Sequence, residues 1–264
     1  SLRDKGDFCW HCHSGIYSFP LHIAYRFKVP LLMWNADGES NAYFEYEEFP
    51  EIDPLYFNRF INLGISAKDM AIRIGLDKNE ERELWAYTFP TESMYPDHKI
   101  RSLSLSAFIP WDLSEIFSVI SSELGWDVDD VENLPPQYSY TKIECWLQGV
   151  RDYIKWIKRG YSRPSQMNAM KLRQDKLSTH EAQKIVDEWE GIEPHALELL
   201  LDYLQMTKEE FYALCTSHSV SPWSYVSNMT KASALPLHDS PNWERYPGIS
   251  KEEIQKINSI NTYH

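Results

Sequence analysis

The sequence predicts an α/β first part followed by a mainly helical second part, with the boundary near Pro110. Two patterns carry this reading. One is Val29-Pro30-Leu31-Leu32-Met33-Trp34, a short apolar run after a helical stretch, closed by the turn residues Asn35-Ala36-Asp37-Gly38. Such a run suits a strand buried in a parallel sheet. The other begins at Asp112, where apolar residues recur at helical spacing and each stretch opens on a capping residue.

Ser1 to His13 reads as a loop. Ile16, Phe19, Ile23 and Phe27 give Ser14 to Lys28 a helical period, which Pro20 limits. In α/β sheets ligands bind beyond the carboxyl ends of strands, so Asn35 to Glu39 is either a site or a plain turn. Tyr43 to Pro54 reads as an acidic, aromatic excursion and Leu55 to Leu63 as a helix. Ser66-Ala67-Lys68-Asp69 opens another helix with a capping box. Alternation from Ser102 to Ile109 predicts a strand.

In the second part, Asp112 caps and Gly125 stops a helix whose apolar face is Leu113, Ile116, Phe117, Ile120 and Leu124. Ile143, Trp146, Leu147, Val150, Ile154 and Ile157 form a longer stripe ended by Gly160. Ser178 and Thr207 open capping boxes, with a leucine-rich helix from Leu197 to Leu204 between them. Ser224 to Tyr246 reads as an irregular tail, and Ser250 opens a last short helix.

The chain has 264 residues, with 43% hydrophobic and 25% charged residues, which excludes a disordered or fibrous class. Lys plus Arg is 26 against 39 Asp plus Glu, a formal net charge of −13. That balance opposes binding to a nucleic-acid backbone, which needs a basic face. No run approaches the roughly 20 apolar residues that span a bilayer. Four cysteines do not make a disulfide scaffold, so the sequence reads as a reduced, cytoplasmic protein.

Cys9-Trp10-His11-Cys12-His13 is the densest group of metal-capable side chains. A C-x-x-C can bite one metal or iron–sulfur cluster, and His11, His13 or Cys145 can complete a set. A structural pair of small buried residues fits equally well. The redox reading of C-x-x-C asks for a preceding strand, which the sequence does not display. Cys215 sits on an apolar helical face and reads as core. Arg151, Lys155, Lys158, Arg159, Arg163, Lys171 and Arg173 concentrate positive charge in an acidic chain. Arg163 lies in the turn Gly160-Tyr161-Ser162-Arg163-Pro164, where a guanidinium fork can meet phosphate or carboxylate. No dinucleotide or Walker-type glycine pattern occurs, and no catalytic residue is assigned.

Several segments together resemble the N-acetyl sugar amidotransferase family. They are Cys9 to Ile16, Pro30 to Trp34, Phe108-Ile109-Pro110-Trp111-Asp112, Glu123 to Trp126, Lys142-Ile143-Glu144-Cys145, Gly160 to Arg163, Lys176 to Ala182 and Ser221-Pro222-Trp223. The resemblance implies a PP-loop ATP pyrophosphatase fold. It implies adenylation of the acetamido oxygen of a nucleotide-linked sugar by ATP with Mg²⁺. Ammonia from a partner glutaminase then displaces AMP and leaves an acetamidino group, in surface-polysaccharide biosynthesis. The family's Ser-Gly-Gly-x-Asp-Ser loop is absent, so residues 1–110 are expected to be the C-terminal portion of the PP-loop domain. Residues 111–223 are then a helical domain and 224–264 the tail with its terminal helix. The start at Ser1 reads as that of a fragment, or of a chain whose PP-loop lies on a separate polypeptide.

Carried over residue by residue, the resemblance gives Asn35, Gly38 and Glu39 to ATP. It gives Lys142, Arg163, Lys171 and Arg173 to the sugar nucleotide. Cys9, Cys12 and Cys145 become ligands of a zinc ion or iron–sulfur cluster. Two other classes stay open: a PP-loop sulfur-transfer enzyme with a three-cysteine metal site, and a degenerate, non-catalytic scaffold that docks a glutaminase.

Overall fold

A computed structural model describes residues 1–35, 51–91, 93–96, 99–109, 112–128, 131–141, 145–221 and 223–225. Gly38, Glu39, Pro110, Trp111, Lys142, the tail beyond residue 225 and the helix expected from Ser250 lie outside the described residues. The described chain is mostly helical with one small parallel sheet, consistent with an α/β reading. Ser1–Asn35 and residues 51–105 form one compact unit, and the described residues from Ser106 onward form a second.

In the first unit, the loop expected over Ser1 to His13 is partly helical. Helix α1 covers Leu2–Lys5, and α2, Trp10–Arg26, starts four residues before the expected Ser14. The reason is Trp10. Its indole N–H donates to the Ile65 carbonyl at 2.9 Å, and its ring packs with Ile65, Ala67 and Met70. That burial recruits the first turn into the core, a tertiary effect with no helical period to announce it. Pro20 is tolerated inside α2.

Strand β1, Leu31–Trp34, runs parallel to β2, Arg101–Ser104, with Leu31 opposite Arg101 and Trp34 opposite Ser104. The strand expected over Ser102 to Ile109 is thus shorter, and passes into a 3₁₀ turn at Leu105–Ala107. Trp34 is the last residue of β1, opposite Ser104, and among the described residues no ladder partner follows it. One face of β1 carries Trp34, which stacks near Tyr17 (5.1 Å between centroids) and donates to Ser102 Oγ. Beneath it lie Ile52, Tyr56, Phe57 and Ile61. Ile52 precedes α3, Pro54–Tyr56, which supplies Tyr56, and the π-helical turn Phe57–Ile61 supplies Phe57 and Ile61. Leu31 and Met33, on the other face, are exposed. Helix α4, Ala67–Ile74, carries the capping box that Ser66 and Asp69 predict.

In the second unit, α5 is Leu113–Leu124, capped by Asp112 and stopped by Gly125 in the left-handed region. Leu113, Ile116, Phe117 and Ile120 are half-buried, while Leu124 is 77% exposed. Helix α6, Gln148–Arg159, is shorter than its apolar stripe suggests. Leu147 is its N-cap, and Trp146 precedes the helix and is 88% exposed. Val150, Tyr153, Ile154, Trp156 and Ile157 form the buried face. Helices α7 (Arg163–Arg173), α8 (Thr179–Trp189), α9 (Ala196–Leu204) and α10 (Lys208–Ser217) follow. The boxes at Ser178 and Thr207 form as expected. Cys215 is fully buried, and burial pushes its thiol up to about 12. No described helix is long and apolar enough to cross a membrane.

Candidate functional site

The basic residues singled out in the sequence lie on or around α7, and the structure divides them between its two ends. Arg163 is the first residue and Lys171 is eight residues on, about 12 Å along the axis at the helical rise. One small anion therefore cannot bridge both ends.

At the start of α7 the charges face inward. Arg163 is 7% exposed and clamps Asp152 side-on, through Nε to Oδ2 (2.8 Å) and Nη2 to Oδ1 (3.1 Å). Gln148 donates to the same carboxylate at 3.1 Å. Asp152, Gln148 and the apolar face beside them all belong to α6, so the pair ties α7 to α6 across the Gly160 turn. The amide end of α7 is occupied as well. Glu190, 3% exposed at the end of α8, accepts from Ser162 N–H, from Ser162 Oγ at 2.8 Å, and from Ser165 Oγ. A carboxylate there satisfies orphan amides and complements the helix dipole. Burial nevertheless pushes the Glu190 carboxyl up, against the lowering effect of the two serines.

At the far end of α7 the groups are more accessible. Lys171 Nζ donates to Ser114 Oγ at 3.0 Å. Asp112, the N-cap of α5, accepts from the Ser114 amide at 2.9 Å and the Ser114 hydroxyl at 2.5 Å, and pairs with Lys176. Tyr140 stacks on Phe117 nearby, and burial, with Asp112 adding to it, pushes its phenol up to about 12. Burial of Asp112 opposes its ionisation. The Lys176 ammonium, the Ser114 hydroxyl and amide, and Lys171 outweigh that and hold the carboxyl well below the usual range. Arg173, in the last turn of α7, is exposed.

Because the native carboxyl of Asp112 is depressed, its stabilisation is complete above the ordinary value near ~3.9 and fades as pH falls below it. Asp112→Asn keeps a capping oxygen but cannot titrate. Its urea midpoint is expected to drop at neutral pH and to fall less steeply than wild type below about pH 4. Parallel acid limbs in the two proteins would contradict this.

Sequence reading found Lys171 but treated Asp112 only as a cap, and it assigned no role to Ser114, Lys176, Asp152 or Glu190. Nothing local marks them: Lys176 reaches Asp112 across 64 positions and Glu190 reaches Ser162 across 28. Asn35 directly follows β1, and its carbonyl accepts from Ser104 Oγ at 3.2 Å. Cys9 and Cys12 lie in the first unit and Cys145 in the second. Among the described residues, no group of three or more His, Cys, Asp or Glu side chains is arranged to hold a metal ion.

Helix α7 and the helices that flank its start also lie where the chain matches a known family. Residues 136–239 match the family model of the LPS biosynthesis protein WbpG-like, C-terminal domain. No curated protein matches the chain. The described part of the matched region includes the 3₁₀ turn Pro136–Tyr138 and helices α6 to α10. It holds Arg163, Lys171, Arg173, Lys176 and Glu190, while Asp112 and Ser114 precede it. It places this part of the chain alongside a lipopolysaccharide-biosynthesis family.

Proposed function

We propose that the chain acts in lipopolysaccharide biosynthesis as the C-terminal part of an ATP-dependent sugar amidotransferase. The observation that carries this is the WbpG-like match over residues 136–239. The ordered family motifs from Cys9 to Trp223 supply the finer reading. In it, the parallel pair β1–β2 belongs to a PP-loop domain, and Asn35, Gly38 and Glu39 lie toward ATP and Mg²⁺. The reaction converts an amide, ammonia and ATP into an amidine, AMP and pyrophosphate. An amide oxygen is a poor leaving group, and adenylation turns it into a good one. A partner glutaminase supplies the ammonia.

The chain's own contribution is to hold the anionic substrate. Lys171, Lys176 and Asp112 sum to one net positive charge at the amide end of α5. Ser114 takes one of the three donors of the Lys171 ammonium. Lys142 and Arg173 complete the basic set. In this reading Arg163 positions α7 and does not itself contact the sugar nucleotide.

Calorimetry with a panel of nucleotide-linked N-acetyl sugars tests it. Binding of at least one member is expected, with Lys171→Gln weakening it about tenfold, or about 1.4 kcal/mol. No binding by any member, or an unchanged affinity in Lys171→Gln, would overturn the assignment.

A further inference from the structure

We propose that Cys9 and Cys12 form a reversible thiol–disulfide couple, exchanging with a small-molecule disulfide. The pair is built into the start of α2. Cys9 is the N-cap of this 17-residue helix, and Cys12 follows in its first turn. Residues three apart on a helix share a face, with Cβ atoms about 5–6 Å apart. A disulfide needs about 3.5–4.5 Å. The Cys9 carbonyl accepts the first helical bond, from the His13 amide at 3.0 Å, and rotation about the Cα–C bond of Cys9 moves its Cβ toward Cys12 while that carbonyl stays in place.

The residues between the cysteines hold the pair at the surface. Trp10 is 7% exposed and bonded to the Ile65 carbonyl, which anchors the segment to the core. Asp7 Oδ1 accepts the Cys9 amide and fixes the approach to the helix. His11 and Cys12 face solvent, and Cys9 is half-buried. One thiol is thus accessible to an incoming disulfide and the other is poised behind it. No disulfide joins the described cysteines. Cys215 is buried and unsuited to exchange. Cys145 is exposed and has no second cysteine near it in sequence.

The step balances. The Cys12 thiolate attacks a low-molecular-weight disulfide, giving a mixed disulfide and releasing one thiol. The Cys9 thiolate then attacks the Cys12 sulfur, closing the protein disulfide and releasing the second thiol. Two protein thiols are oxidised, the external disulfide is reduced to two thiols, and the protons pass to those products.

The test equilibrates the full chain anaerobically with oxidised and reduced glutathione, quenches with acid, alkylates and maps peptides by mass. The peptide containing Cys9 and Cys12 is expected to be two hydrogens lighter and to resist alkylation. Dithiothreitol should restore alkylation. Cys145 should carry glutathione under the same conditions and serves as the exposed single-thiol control. Cys9→Ser should trap glutathione on Cys12. Full alkylation of both cysteines in wild type would overturn the proposal, as would stable glutathione on wild-type Cys12. Protection released by a chelator and not by a reductant means a bound metal, and overturns it too.

Discussion

Arg163→Ala is expected to destabilise the helical unit by about 3–5 kcal/mol, because it leaves Asp152 buried without its counter-charge. The clamp contributes through geometry. Both Asp152 oxygens are engaged by one guanidinium, and Gln148 adds a third donor. Removing the fork strands that carboxylate where its side chain is only 15% exposed. Urea unfolding monitored by circular dichroism reads the loss. Arg163→Lys is expected to recover only part, since a point ammonium cannot reproduce two parallel hydrogen bonds. Replacing both partners by apolar residues, Arg163→Met with Asp152→Leu, should recover most of it, because a buried pair costs desolvation that an apolar pair does not. A well-folded, fully stable Arg163→Ala with impaired sugar-nucleotide binding would reverse this, and would return Arg163 to the substrate.

The contrast between Arg163 and Lys171 shows what a sequence can and cannot specify here. Local chemistry was legible. Asp112, Ser66, Ser178 and Thr207 all cap the helices they precede, and Gly125 and Gly160 end theirs in the left-handed conformation. Those devices act over three or four residues and carry their own signature. The apolar run Leu31 to Trp34 was legible as a parallel strand, but not its burial, since Leu31 and Met33 on one face are exposed. Charge partners were not legible. Asp152 lies eleven residues before Arg163, with a helix end and a glycine turn between them. No periodic rule pairs those positions. The same holds for Glu190 on Ser162, and it explains why a basic turn that reads as an anion site is satisfied from within. The missed first turn of α2 is a case of tertiary burial through Trp10 overriding a loop-like stretch.

Gly160→Ala is expected to cost roughly 2–5 kcal/mol, through two independent effects. The first is conformational. Gly160 ends α6 at φ 77°, where a side chain is strained. The second is steric. A Cβ there would lie 2.4 Å from Trp223 Cε3 and 2.7 Å from Cδ2. The indole cannot easily retreat. Its ring is 3% exposed, its N–H donates to the Ile157 carbonyl at 2.8 Å, and it meets Trp156 edge-on at 5.8 Å. Trp223 therefore closes over the turn that sets the entry of α7, and through α7 the placement of Lys171. The two effects separate in a double-mutant cycle with Trp223→Leu. In that background the steric part of the Gly160→Ala cost should vanish and about 1–3 kcal/mol of backbone strain should remain. An equal cost in both backgrounds would mean that the ring does not constrain the turn. Loss of sugar-nucleotide affinity in Gly160→Ala at temperatures where it stays folded would then tie the turn to the placement of Lys171 rather than to stability alone.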